Sequence, residues 1–407
     1  MAKFSLFDWM VCGRAGIGEP VAAHLRALAE EERGFEAASI FGAGKAPARM
    51  AALVNGATSH ALDFDDTHFA HVGHLSVGIY PAALAVGEEV GASANDVIGA
   101  FLLGAEAAIR VGLTLGAAHY NLGFHQTATA GAFGATVAAA RLMGLNEAQT
   151  RTALGLCATR ASGLKSQFGT MGKPYNAGVA AANGVECAKL ARRGMSAPED
   201  GLMGPQGFVP THTPQVGDFP PAGQFLFDNV KYKFHACCHG THAMIEALQD
   251  ARAQYGLTLD NVANLQLRTN PRWLKVCNNP APTTGLEVKF SYKWLAGMVM
   301  AGRPTQSDRE YTDALAGDAR LGRFARQVEV IADDSLSDMQ AACQITLTDG
   351  TRIEACHDLD TPLPPEVTQA KLRRKAEALI GPGALTEVLD APQQLSAADL
   401  GAMVRAL

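Results

Sequence analysis

Three aspartates and three histidines fall within twelve residues of this chain: Asp63, Asp65, Asp66, His68, His71 and His74, introduced by His60 and closed by Gly73-His74-Leu75-Ser76. Clustered imidazoles and carboxylates tune one another's pKa and can divide acid and base work between them. The same residue types also bind transition metals. The plainer alternative is a solvated loop with capping aspartates, but a polar cluster this dense between apolar helical stretches is seldom neutral.

Three further segments crowd polar residues where apolar helix would otherwise continue. In Gly123-Phe-His125-Gln-Thr127-Ala-Thr129, Thr127 or Thr129 is expected to cap the Ala-rich helix that follows. That places His125 at a helix N-terminus, where the dipole and free N–H groups favour an anion. Gly169-Thr-Met-Gly172-Lys173-Pro174, preceded by Lys165 and Gln167, reads as a carboxylate-binding turn. It lacks the GxxxxGK[ST] spacing of a phosphate loop. Lys231-Tyr-Lys233-Phe-His235-Ala-Cys237-Cys238-His239-Gly-Thr-His242 gathers two lysines and three histidines at a junction between two kinds of chain. Junctions of that sort favour clefts.

Composition narrows the classes. The 407 residues are 48% hydrophobic and 18% charged, with a net charge of −6. An acidic chain without a Lys/Arg run is a poor nucleic-acid binder, so an anionic substrate has to be met by individually placed cations. The eight cysteines contain no CxxC and fit neither a disulfide framework nor a zinc site. The opening residues lack a secretory pattern, and the longest apolar stretches, such as Val97–Ala108, read as too short to span a bilayer. The expectation is a soluble, cytoplasmic protein with no membrane partner. No GxSxG supports nucleophilic hydrolysis, and no GxGxxG opens a βαβ unit.

The elements that must position these segments are helices in the first half. Apolar residues recur at three- and four-residue spacing over 46–62, 81–90, 94–116, 127–143 and 147–164. Ser93 and Asn146 each precede a first turn holding an acid or amide, as capping residues do. After about Asn229 the pattern changes to alternation over 261–270, 327–333 and 342–355, the last holding Asp349-Gly350 as a hairpin signal. Helical stretches at 286–301 and 309–316 lie between these strands. The fold class is mainly α with a smaller α+β domain: an all-helical domain over 1–228, completed by 366–407, and an α+β domain over 229–365.

Taken together, the segments resemble the MmgE/PrpD family in order and content. The matching blocks are Val54-Asn-Gly, His60-Ala-Leu-Asp63-Phe-Asp-Asp-Thr67, Gly73-His74-Leu-Ser76, Pro81–Glu88, Gly123–Thr127, Phe168–Pro174, Lys233–His242 and Gly285–Ser291. The resemblance implies a large helical domain with a smaller α+β lid, a homodimer, and no metal or organic cofactor. It implies activities of the 2-methylcitrate dehydratase, cis-aconitate decarboxylase or iminodisuccinate epimerase kind, on a small di- or tricarboxylate. The family's active-site positions fall on Asp63, Thr67, His74, His125, Lys173 and Lys233. Lys231 is the fallback for Lys233, and His235 and His242 join the substrate-binding candidates. Family members carry a further helix before the block matched by Phe7–Gly16, so the helical domain or dimer surface is expected to be shortened here. His68, His71, His235 and His239 are not general family features and point to an unusual substrate.

The expected chemistry is proton removal beside a carboxylate, with His74 or His125 as base, Asp63 orienting a histidine, and lysines neutralising the substrate. Hydro-lyase chemistry comes first in this reading, with epimerase or decarboxylase as alternatives. A metal-dependent hydrolase using Asp63, Asp65, His68, His71 and His74 is the rival from another class, and a binding protein without catalysis is the third.

Overall fold

A computed structural model describes residues 1–406. The chain forms two compact units: Met1–Tyr232 together with Ile380–Leu407, and Lys233–Leu379.

The first unit is a helical bundle. Its main helices are α1 (Ala2–Ala15), α2 (Pro20–Glu32), α3 (Ala48–His60), α4 (Ser76–Val90), α5 (Ala94–Leu122), α6 (Gln126–Leu142), α7 (Glu147–Ala158) and α8 (Gly172–Arg192). A short antiparallel pair, β1 (Ala38–Ser39) with β2 (Lys45–Ala46), adds strand to a region without a strand signal. Both expected capping boxes form. The Ser93 hydroxyl accepts from the Asp96 N–H, and the Asn146 side chain accepts from the Gln149 N–H. Glycine lets the helices approach closely. A Cβ on Gly56 of α3 would lie 2.7 Å from the Gly178 Cα of α8, and one on Gly104 of α5 would lie 2.5 Å from the Gly134 carbonyl of α6. Trp9, Tyr80 and Phe101 are fully buried and stack in series.

Several boundaries differ from the sequence reading, each for a local reason. Pro81 sits inside α4 rather than starting it, because Ser76–Tyr80 are already helical ahead of it. Helix α7 stops at Ala158, and 159–164 run as a loop toward Lys165. Helix α5 continues past Gly116, where φ +64 breaks the helical path without ending it. At 29 residues α5 is long and apolar enough to cross a membrane on those grounds alone. It packs against α4 and α6, and its buried Glu106 pairs with Arg110, as in the core helix of a bundle.

The second unit holds a four-stranded sheet in the order β4-β3-β5-β6. Strands β3 (Val262–Thr269) and β4 (Val328–Ala332) are parallel, while β5 (Gln340–Leu347) pairs antiparallel with β3 and β6 (Arg352–Asp358). The β5–β6 turn uses Gly350 at φ +88, as Asp-Gly implied. The expected helix over 286–301 is two, Gly285–Val288 and Tyr292–Met300, because Ser291 caps the second anew. The tail is shared: nearly all of the helix Pro365–Ile380 lies in this unit, and the segment from Ile380 onward lies in the first.

Helix His242–Tyr255 packs on β5 and β6 and carries a buried ionic group. Glu246 is flanked by Lys371 Nζ at 2.5 Å and by His235 Nε2 at 3.3 Å. Burial alone would raise the Glu246 carboxyl, but His235 and Lys371 reverse that and bring it to about 2. A lowered folded value means stability present above the ordinary value of 4.5 and lost as pH falls toward about 2. At roughly 1.4 kcal/mol per unit the contribution is about 3 kcal/mol. Glu246→Gln should therefore cost several degrees of melting temperature at pH 7 and much less at pH 3, read by thermal melts at the two pH values.

Candidate active site

Three helix starts carry basic side chains of one cluster in the first unit. His74 lies two residues before α4, His125 is the residue that precedes α6, and Lys173 is the second residue of α8. These helices pack on one another, and α3 ends against them at His60. Helix N-termini present unpaired N–H groups and partial positive charge, so this end of the bundle suits an anion. His125 caps α6 with no side-chain hydrogen bond. Thr127 and Thr129 do not cap it, contrary to expectation. The Thr127 hydroxyl accepts from the His74 N–H at 3.0 Å, and Thr129 faces His119 at 2.9 Å.

The side chains form an alternating series of acids and bases. His60 Nδ1 lies 2.8 Å from Asp65 Oδ1, and Asp65 Oδ2 lies 2.7 Å from His74 Nδ1. The second contact is close without the aligned geometry of a full hydrogen bond. His74 Nε2 is 3.3 Å from Asp63 Oδ1, and Asp63 Oδ2 is 2.7 Å from Lys173 Nζ. His125 stacks over His60 at 6.2 Å between ring centres and meets Phe168 edge-on at 5.0 Å. Lys173 Nζ stands 5.3 Å above the same Phe168 ring. Asp63 reaches this place through a left-handed backbone at φ +51, and its side chain is 46% exposed while Asp65 is fully buried. The series therefore runs from solvent into the core.

Burial and neighbours set the charges. Burial pushes His125 down, helped by His60, His74 and Lys173, to about 2, so its imidazole is neutral. His60 is lowered by burial against the pull of Asp65. Burial would raise Asp65, but the two imidazoles beside it hold its carboxyl far below the usual range. Asp66, the next residue, goes the other way: burial raises it against hydrogen bonds from Ser76 and Ser5. Environments that push adjacent titratable groups apart are how one site holds both acid and base forms.

The loop bearing these residues is fastened at several points. Thr67 and Lys231 exchange backbone hydrogen bonds at 2.8 Å each way. His68 Nε2 donates to the Leu226 carbonyl at 3.0 Å, and Glu106 of α5 accepts from the Leu226 and Phe227 N–H groups. Ser5 and Ser76 donate to Asp66. Lys231 thus lies in the first unit, tied to Thr67, while Lys233, His235 and His242 lie in the second. There His235 pairs with Thr305 and Glu246, and the buried His242 faces the Cys237 carbonyl. Lys233 is assigned to the site by the resemblance alone, and His235 and His242 remain candidates from the sequence of their segment.

His60, Asp65 and Asn176 belong to the cluster but stood outside the catalytic and substrate-binding residues expected from sequence, where Asp65 figured only as a metal ligand of the rival reading. Asn176 stands three residues after Lys173 on α8, close enough for its amide to reach His125 Nδ1 at 3.1 Å. Spacing on one helix face was the available signal. The metal-ligand set of the rival reading does not assemble. His68 is spent on Leu226, and His71 packs against Gly112 of α5. His60, Asp63, Asp65 and His74 do bring donor atoms within 4.8 Å of one another. Each of their carboxylates already has a partner, because Lys173 holds Asp63 and two imidazoles face Asp65. None of the eight cysteines is in a disulfide.

Comparison with known proteins shows the family. The chain is 31% identical over 286 residues to a cis-aconitate decarboxylase of Aspergillus terreus, covering 65% of this chain and 58% of that protein. It is 28% identical over 265 residues to the human cis-aconitate decarboxylase, covering 61% and 54%. A mitochondrial 2-methylcitrate dehydratase of Yarrowia lipolytica matches at 25% identity over 151 residues, 33% and 28% of the two chains. The matched stretch is thus under three-fifths of the length of each of these relatives. Residues 1–217 match the model of the MmgE/PrpD N-terminal domain and residues 235–395 that of the MmgE/PrpD C-terminal domain, so the chain belongs to the MmgE/PrpD family.

Proposed function

We propose that this protein is a lyase that moves a proton at a carbon next to a carboxylate, on a small tricarboxylate, without a metal or organic cofactor. The observation that carries the reading is the run Lys173–Asp63–His74–Asp65–His60, gathered where α4, α6 and α8 start and α3 ends, with the neutral His125 ring beside it. Charge that builds on a carboxylate as its neighbouring carbon gains or loses a proton is stabilised by fixed cations and N–H groups in a desolvated site. Lys173 and the helix starts supply them. His74, set between two carboxylates, supplies a proton-transfer group.

Three outcomes share this step: loss of carbon dioxide, loss of water, or reprotonation on the opposite face. Decarboxylation of a cis-aconitate-like acid ranks first, because the decarboxylases match about two-thirds of the chain and the dehydratase one-third. Dehydration of a 2-methylcitrate-like acid is second, and epimerisation third. The test is proton NMR of cis-aconitate, citrate, methylcitrate, tartrate and aspartate-derived acids incubated with the purified chain, before and after dialysis against chelator. Decarboxylated product from cis-aconitate, unchanged by chelator, is expected. No reaction with any acid, or activity lost to chelator and restored by one metal, contradicts the proposal.

Lys173→Ala should raise KM about 10- to 100-fold, since a charged hydrogen bond to a carboxylate is worth about 1.5–3 kcal/mol. Steady-state kinetics check this, and an unchanged KM would remove Lys173 from substrate binding.

A further inference from the structure

We propose that Asn176 and Asp65 are positioning residues that hold the two imidazoles in opposite tautomers, which makes His74 the proton carrier and His125 a fixed neutral donor; the assignment of roles rests on the proton-transfer reading above. Asn176 Nδ2 has two hydrogens and two partners, the Leu164 carbonyl at 3.2 Å and His125 Nδ1 at 3.1 Å. A carbonyl oxygen can only accept, so it fixes which end of the amide faces this pair. The amide N–H then needs a lone pair on His125 Nδ1, and the single proton of the neutral ring must sit on Nε2. The His125 backbone N–H is pinned to the Gly163 carbonyl at 3.0 Å, which holds the ring in register with the amide.

His74 is set the other way. Its Nδ1 lies 2.7 Å from Asp65 Oδ2. Two lone pairs would repel at that distance, so Nδ1 carries a proton. His60 holds the other oxygen of the same carboxylate at 2.8 Å and fixes its plane. Exchange at His74 is thereby confined to Nε2, which faces the half-exposed Asp63. A carboxylate stands at each ring nitrogen, so His74 can take up or hand over a proton with little reorganisation. In decarboxylation the C–C bond to the departing carboxylate breaks, its electron pair passes to the carbon, and His74 Nε2 delivers the proton that forms the new C–H bond. His125 Nε2–H donates a hydrogen bond to the negative oxygen meanwhile and keeps its proton.

The test reads tautomers directly, from long-range ¹H–¹⁵N spectra of the full chain labelled at histidine nitrogens, near pH 7 and without substrate. His74→Gln and His125→Gln variants assign the signals. The expected spectrum shows His125 neutral with its proton on Nε2 and His74 protonated at Nδ1. Asn176→Asp replaces the donor by an acceptor and should move the His125 proton to Nδ1, lowering kcat about tenfold or more, toward the roughly 10⁴-fold seen when a catalytic imidazole is held in the wrong tautomer. KM should change much less. If Asn176→Asp does not fold, the wild-type spectrum alone decides. A charged His125, a His125 proton on Nδ1, or a bare His74 Nδ1 overturns the proposal. The spectra need no substrate, so a protein unreactive toward every acid in the panel would sink the proposed function and leave this assignment standing.

Discussion

His125→Ala is expected to lower kcat by about 10²- to 10⁴-fold, the usual contribution of one positioned acid–base group, with a smaller change in KM. The ring is 3% exposed, stands beside His60 and Phe168, and is held neutral by burial and by three basic neighbours. A neutral imidazole attracts a resting carboxylate weakly. Its N–H gains strength as negative charge develops, so its loss is felt in turnover more than in binding. Steady-state kinetics on the acid that the wild type consumes, with a thermal melt of the same sample, check this. Unchanged turnover would remove His125 from the reaction.

Asp65→Ala should be the most destabilising single change in the site, costing about 3–5 kcal/mol, as breaking a buried ion pair does. It removes the one carboxylate that faces both His60 and His74, and leaves the fully buried His60 ring with no acceptor for its Nδ1 proton. Asp65→Asn keeps the volume and one acceptor oxygen and should cost less. The pH dependence has a definite sign. The Asp65 pKa is lowered in the folded chain, so its contribution is complete above the ordinary carboxylate value and is lost as pH falls below it. The lowered His125 value acts in the same direction, because the unfolded chain takes up a proton below about 6.5 that the folded chain refuses. Denaturant unfolding at pH 5 and pH 2.5, on either side of the ordinary carboxylate value of 3.8, should show wild type losing more stability on acidification than Asp65→Ala. Equal losses would mean that the carboxylate is not ionised in the folded state.

Much of this arrangement was readable from local chemistry. The Ser93 and Asn146 caps, the Asp349-Gly350 turn and the alternation of β3 and β5 are each decided by residues within a few positions of one another. Asp63, His74, His125 and Lys173 stood out because polar residues interrupted apolar helix, and the structure brings Asp63, His74 and Lys173 into direct contact with the His125 ring nearby. What was not readable depended on direction. His68, His71 and His74 look alike in sequence. Yet His68 turns to the Leu226 carbonyl and His71 to α5, and only His74 faces the carboxylates. Asp65 and Asp66 are adjacent, but one meets two imidazoles and the other meets two serine hydroxyls. His60 looked like the buried end of an apolar helix, which it is, and its role comes from a loop that folds back on it. The expected Thr127 cap failed because that hydroxyl is used by the His74 backbone, a partner 53 residues away.

The central claim is that His74, His125, Lys173 and Asp63 form one proton-transfer centre. It is tested most directly by following the carbon-bound hydrogens of cis-aconitate and its product in D₂O, with wild type and with His74→Gln at equal concentration. One deuterium delivered to the reacting carbon by wild type, at a rate at least about 10²-fold above that of the variant, is the predicted result. Equal rates in the two proteins, or a product whose new C–H bond carries no solvent deuterium, would contradict it.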